Sequence, residues 1–211
     1  MKHPISAIMH DHYRKTFEQY GETSMGVDWG GKDWATAIRN QNMLDVLANP
    51  LHSCTLLDVG CGYGELSDFI KQKQLSIEYT GVDVVEGMIA AAKRRSQNST
   101  FFHDDFLEWD PPHKYDYVVC NGILTQKLTT STLEMNEYAR ELIKKMFNLA
   151  NIGVAFNCMT TFVNFQKDNL YYRSPSEMLA WCMSEVTPHV RLDAAYELWY
   201  EYTVYLYKRS V

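Results

Sequence analysis

With 211 residues, 46% of them hydrophobic and 22% charged, and with only 11 Gly and 6 Pro, the chain has the composition of one ordered domain, which excludes a disordered or collagen-like polymer. Twenty Lys and Arg against 26 Asp and Glu leave a net charge of −6, so the surface as a whole repels a polyphosphate backbone and no nucleic-acid partner is expected. No apolar run reaches the ~18 residues that cross a bilayer, and the opening Met1-Lys2-His3-Pro4-Ile5 lacks the apolar stretch of a secretory signal; a cytoplasmic protein with no membrane partner is expected. The five cysteines, at 54, 61, 120, 158 and 182, form no Cys-x-x-Cys pair and read as reduced, mostly buried thiols. His10 and His12 are a close pair with no Cys or third His nearby, so no metal site is expected.

In chain order, residues 1–34 read as an N-terminal lid segment ahead of a core over 35–211, together one domain spanning 1–211. Apolar residues at helical spacing from Trp34 to Ala48 predict a helix that stops before Asn49-Pro50. Cys54-Thr-Leu-Leu-Asp-Val-Gly60 is apolar enough for a buried strand, and a glycine-rich turn then leads into a helix over 65–72. Ile77 to Asp83 is a second strand, Met88 to Arg95 a helix with cations in its last turn, and Thr100 to His103 a third strand. Tyr115 to Asn121 is a fourth strand, followed by a long helix from Thr132 to Ala150 with Ser131 and Glu134 at capping-box spacing. Asn151 to Cys158 supplies a fifth strand; Ser174-Pro-Ser-Glu177 opens another helix; two final strands lie around 189–192 and 201–207. Strands alternating with helices predict a doubly wound, mostly parallel α/β sheet of seven strands, with an antiparallel strand at its C-terminal edge.

The sharpest feature is Asp58-Val-Gly60-Cys61-Gly62-Tyr-Gly64-Glu65, where the first strand hands over to the first helix. Glycines at alternate positions let the backbone turn tightly and a ligand lie against it. A dinucleotide turn wants its third glycine at 65, where Glu stands, and a pyrophosphate here would sit beside the Asp58 and Glu65 carboxylates. The turn therefore suits a cationic or zwitterionic ligand.

Asp58-Val-Gly-Cys-Gly-Tyr-Gly resembles the first motif of the class I S-adenosylmethionine-dependent methyltransferases, and further stations follow over roughly residues 34–160. Gly81-Val-Asp83 puts an acid 19 residues after Gly64 (83 − 64), followed by Val84. His103-Asp104-Asp105-Phe106 follows the third strand, and Asn121-Gly122 ends the fourth. The resemblance implies a Rossmann-like fold, with S-adenosyl-L-methionine as cofactor and S-adenosyl-L-homocysteine as its product. It implies that Asp58 counters the amino end, that Gly60, Cys61, Gly62 and Gly64 line the polar remainder, and that Asp83, with Val84 beside it, accepts the ribose hydroxyls. Asp105 takes the adenine amino group, Phe106 covers the ring, and Asn121 lies at the methyl position. Taken singly, each of these acids also suits a local turn or cap.

The acceptor is less legible. Nucleic-acid amino-methyltransferases usually show Asn-Pro-Pro-aromatic after the fourth strand, where Asn121-Gly-Ile-Leu124 stands. The aromatic-rich stretches at 8–34 and 157–173 make Tyr13, Trp29, Asn157, Tyr171 and Tyr172 the candidate acceptor contacts. Asn121 is expected to orient donor or acceptor; a base, if one is needed, comes from His10, His12 or Tyr13, and transfer by proximity alone is the alternative. The expected activity is methyl transfer to an O or N atom of a small-molecule acceptor, a small polar metabolite. A regulatory module that binds the cofactor without turnover is the alternative, and an RNA methyltransferase fits less well.

Overall fold

The computed structural model describes residues 3–30, 33–49 and 52–209. Strands β1 (Cys54–Val59), β2 (Ile77–Asp83), β3 (Thr100–His103), β4 (Tyr115–Cys120) and β5 (Ala150–Thr160) run parallel. Two further strands, β7 (Val190–Asp193) and β8 (Glu201–Tyr207), complete the order β3-β2-β1-β4-β5-β8-β7. The C-terminal strand β8 is antiparallel to both of its neighbours, and its hairpin partner β7 is outermost. An eighth, two-residue strand, β6 (Tyr172–Arg173), pairs with the end of β5 beyond the expected seven.

Side chains alternate across this sheet, and both faces are covered. Leu57, Val59, Val118, Val154, Phe156, Val204 and Leu206 enter one core, shared with α5 (Thr132–Leu149) and α6 (Pro175–Glu185). Leu56, Tyr117, Val119, Ala155 and Tyr205 enter the other, shared with α2 (Asp33–Leu44), α3 (Glu65–Gln72) and α4 (Glu86–Arg95). The caps fall where expected: Ser131 and Glu134 satisfy each other's backbone N–H in a full capping box, and the Ser174 side chain accepts from the Glu177 N–H ahead of Pro175. The helix expected to run from Trp34 to Ala48 ends at Leu44, and a turn closed by the Leu47 N–H on the Leu44 carbonyl carries the chain onward.

The segment expected to be a lid is largely a helix, α1 (Pro4–Tyr20), which follows His3, whose Nδ1 accepts from the Ile5 N–H. Ile5 and Met9 lie in the same core as α5, and the His3 ring packs at 5.2 Å from that of Tyr138. α1 is thus part of the folded core as well as a cover. Met9→Ala should lower stability by about 2–4 kcal/mol, seen as a lower urea midpoint at unchanged slope. Ile8→Ala, at a 36% exposed position, should stay within about 0.5 kcal/mol.

Candidate functional site

The strand order reverses between β1 and β4, and a cavity opens over the carboxyl ends of β1, β2 and β4, where ligands of open α/β sheets lie. Its floor is the turn after β1. Gly60 has φ +75°, a left-handed conformation, and a Cβ there would fall 2.6 Å from Ile123 Cδ1, so a side chain would be strained and would displace Ile123. The Gly60 and Cys61 N–H groups donate to the Val82 carbonyl, which pins the turn against the end of β2.

Each expected acid reaches this cavity, and each is held differently. Asp58 is buried; the Tyr79 hydroxyl donates to its Oδ2 at 2.6 Å, while Oδ1 has no hydrogen-bond partner among the described residues. Burial pushes the Asp58 carboxyl up to about 7, against the lowering effect of the Tyr79 bond and with Asp83 adding to the rise. The Asp83 carboxylate accepts from the Gly62 N–H at 2.9 Å on one oxygen and from the Val85 N–H at 2.9 Å on the other. Its pKa is raised by burial and held back by these backbone donors. Asp105 is buried at the start of α1: Oδ2 accepts from the His3 N–H, and Oδ1 from the Ser6 hydroxyl and the Leu107 N–H. Asp104 is exposed and also lines the cavity.

Asn121 is buried; its amide donates weakly to Asn40 Oδ1 at 3.4 Å, and its own Oδ1 has no partner among the described residues. Cys61, Val84, Phe106, Tyr13 and Trp29 line the cavity as well, and the five cysteines are free thiols, four of them buried. Burial pushes the Tyr13 hydroxyl well above its ordinary pKa, which favours its protonated, donating form. His12 does not line this cavity; its Nε2 lies 3.0 Å from Asp28 Oδ2. His10 pairs with neighbouring Asp11 at 3.1 Å. Tyr171 is buried on another face, where its hydroxyl donates to Asn136 Oδ1, and the Tyr172 hydroxyl accepts from the Lys167 N–H. Neither Tyr171 nor Tyr172 is among the residues that line this cavity.

Trp29 and Gly122 also line a second cavity, of about 290 Å³, that adjoins the first. Asn157 is there, with Oδ1 accepting from the Gly122 N–H and Nδ2 donating to Glu201 Oε2. Arg39 on α2 and Glu201 on β8 form a buried ion pair in its wall, through Nε at 3.0 and 3.1 Å and through Nη2. Neither residue was a candidate from sequence, and neither sits in a motif. No cluster of metal-ligating side chains occurs among the described residues, and no described helix is long and apolar enough to cross a membrane.

A methyltransferase-domain family model matches residues 56–151, which run from inside β1 to the start of β5 and carry most of the first cavity. A Mycobacterium tuberculosis protein named as a methyltransferase is 28% identical over 169 residues, 78% of this chain and 99% of that protein. The tRNA1(Val) (adenine(37)-N6)-methyltransferase of Vibrio campbellii is 29% identical over 98 residues, 44% of this chain and 41% of that protein. The magnesium protoporphyrin IX methyltransferase of Synechocystis PCC 6803, solved with bound SAM, shares the fold at a TM-score of 0.67 over 98% of both chains, with 17% identity. Sheet order, cavity position and domain match agree on one class, the class I S-adenosylmethionine-dependent methyltransferases. This chain is similar to that class and is an enzyme with S-adenosylmethionine as its cofactor.

The site suits that cofactor: Asp58 Oδ1 is a buried acceptor with no partner among the described residues, fit for an ammonium group, and Gly60 and Gly62 carry no side chain that would keep a ligand off the cavity floor. Because the Asp58 carboxyl titrates near 7 without ligand, cofactor affinity should rise with pH through about 7, as the carboxylate that meets the cation forms. The same shift means that this acid's contribution to folding is fully present below about 3.8 and is lost as pH rises to about 7. Asp58→Asn should abolish the pH step in calorimetric titrations and weaken binding about tenfold or more, while stabilising the free protein at pH 8 by on the order of 1–3 kcal/mol.

Proposed function

We propose that the enzyme methylates an O or N atom of a small polar metabolite that enters the second cavity. The observation that carries this reading is the shared wall: Trp29 and Gly122 face both cavities, so an acceptor in the second lies next to the Asn121 end of the first. The net charge of −6 suits a small molecule better than a polynucleotide.

When bound, S-adenosylmethionine supplies an electrophilic methyl group on a sulfonium. The protein's part is to hold and align. Asp58 Oδ1 takes the ammonium. Asp83 uses the lone pairs left after Gly62 and Val85 for the ribose hydroxyls. Asp105 accepts three hydrogen bonds, which leaves room on a carboxylate of about four acceptor sites for the adenine amino group, with Phe106 beside the ring. Asn121 Oδ1 orients the reacting groups, and Tyr13 donates from the α1 side. His12 reaches the second cavity only through Asp28, so transfer rests on orientation rather than on a dedicated base drawn from α1.

Incubation with methyl-labelled S-adenosylmethionine and, in parallel, a fractionated metabolite extract and total RNA tests the reading. Label in a small-molecule fraction is expected, and label in RNA alone refutes it. On the acceptor so found, Asn121→Ala should lower kcat about tenfold to a hundredfold with cofactor affinity nearly unchanged.

A further inference from the structure

The Arg39–Glu201 pair in the second cavity is incompletely satisfied. Arg39 is 8% exposed and Glu201 2% exposed, and the guanidinium spends Nε and Nη2 on the carboxylate. Its Nη1 is buried with no hydrogen-bond partner among the described residues. A buried charged donor left open is costly in an empty protein and is unusual unless a ligand completes it. Two further groups line the same cavity. The Tyr200 hydroxyl lies beside the Arg39 guanidinium; burial raises its pKa, and Arg39 limits the rise. Lys167 is exposed and makes no ion pair among the described residues.

The other polar groups of the wall are engaged with one another. Asn157 is bound at both ends, Gln126 donates to Asp28 and accepts from Asn169, and the Thr125 hydroxyl donates to the Gly122 carbonyl. The open donors are therefore gathered on the Arg39, Tyr200 and Lys167 side, while Asp28 brings a negative charge. Formal charge over the lining residues cancels, with Arg39 and Lys167 against Glu201 and Asp28, so a single negative charge is accommodated more readily than a double one.

We propose that the second cavity selects acceptors bearing a carboxylate, which docks on Arg39 Nη1 and the Tyr200 hydroxyl with Lys167 at the mouth. This deepens the reading of the cavity as the acceptor site and rests on it. Arg39 and Tyr200 are substrate-binding residues here and take no part in moving the methyl group.

The test is calorimetric titration of the full chain loaded with S-adenosylhomocysteine. Lactate is the carboxylate probe, lactamide its neutral counterpart, and phosphoethanolamine the phosphate probe. Lactate is expected to bind about tenfold or more tightly than lactamide. Arg39→Lys keeps a cation opposite Glu201 but removes Nη1, and it should weaken lactate about fivefold or more, as should Tyr200→Phe, with S-adenosylhomocysteine affinity within about twofold of wild type. If Arg39→Lys does not fold, Tyr200→Phe and Lys167→Met decide the matter alone. Carboxylates that bind no better than their amides, or affinities unchanged in the folded variants, overturn the proposal, and binding of phosphoethanolamine alone overturns the carboxylate assignment. Label passing to a neutral metabolite overturns this proposal while leaving the small-molecule reading intact, whereas label in RNA alone removes both.

Discussion

The bond pair at Asp83 is the constraint on which the cofactor cavity depends. One carboxylate oxygen accepts from Gly62 in the turn after β1, and the other from Val85 at the entry to α4. Two loops from adjacent parallel strands are thereby fixed to one side chain at the sheet's carboxyl edge. The glycine turn can adopt its left-handed conformations because its amides have this acceptor and the Val82 carbonyl to meet. Asp83 is therefore a building element of the cavity before it is a ligand contact, and exchanging it disturbs more than the hydrogen bonds it would make to a ribose.

Around that frame the enzyme leaves specific groups unsatisfied. Among the described residues Asp58 and Asn121 each keep a buried oxygen without a partner and Arg39 a buried nitrogen, in addition to the Thr36, Tyr115 and Tyr202 hydroxyls away from both cavities. A protein selected for stability alone would pair these groups or replace them with apolar ones. Their positions divide by chemistry: acceptor oxygens line the cavity that receives a cationic cofactor, and the donor nitrogen lines the neighbouring one. Cavity chemistry is thus set by what the surrounding packing declines to complete.

The strand ends and the glycine turn were legible in the sequence because each lies where a short apolar run meets a turn, and spacing alone places them on one sheet edge. Helices over 65–72 and 132–149 were legible through capping and periodicity. α1 was not, although Ile5, Met9, Tyr13 and Phe17 recur every four residues, because that narrow stripe is embedded in His, Asp, Arg and Lys and its cap is a His. Tyr171 and Tyr172 line neither of the two cavities, and aromatic richness in sequence signals burial without saying against what. The Arg39–Glu201 pair had no local signal at all, since its members are 162 residues apart and meet only through the docking of β8 beside β5.

That separation in sequence orders the assembly of the two sites. All residues lining the cofactor cavity lie between Ser6 and Tyr138, within the first two thirds of the chain, whereas the second cavity needs Glu201 and Tyr200 from the last strand and the loop before it. A chain emerging from the ribosome carries every cofactor-lining group well before the groups that close the acceptor cavity exist. Until β8 docks, Arg39 has no counter-charge and its guanidinium remains in water. The second cavity is thus the later of the two that this polypeptide completes.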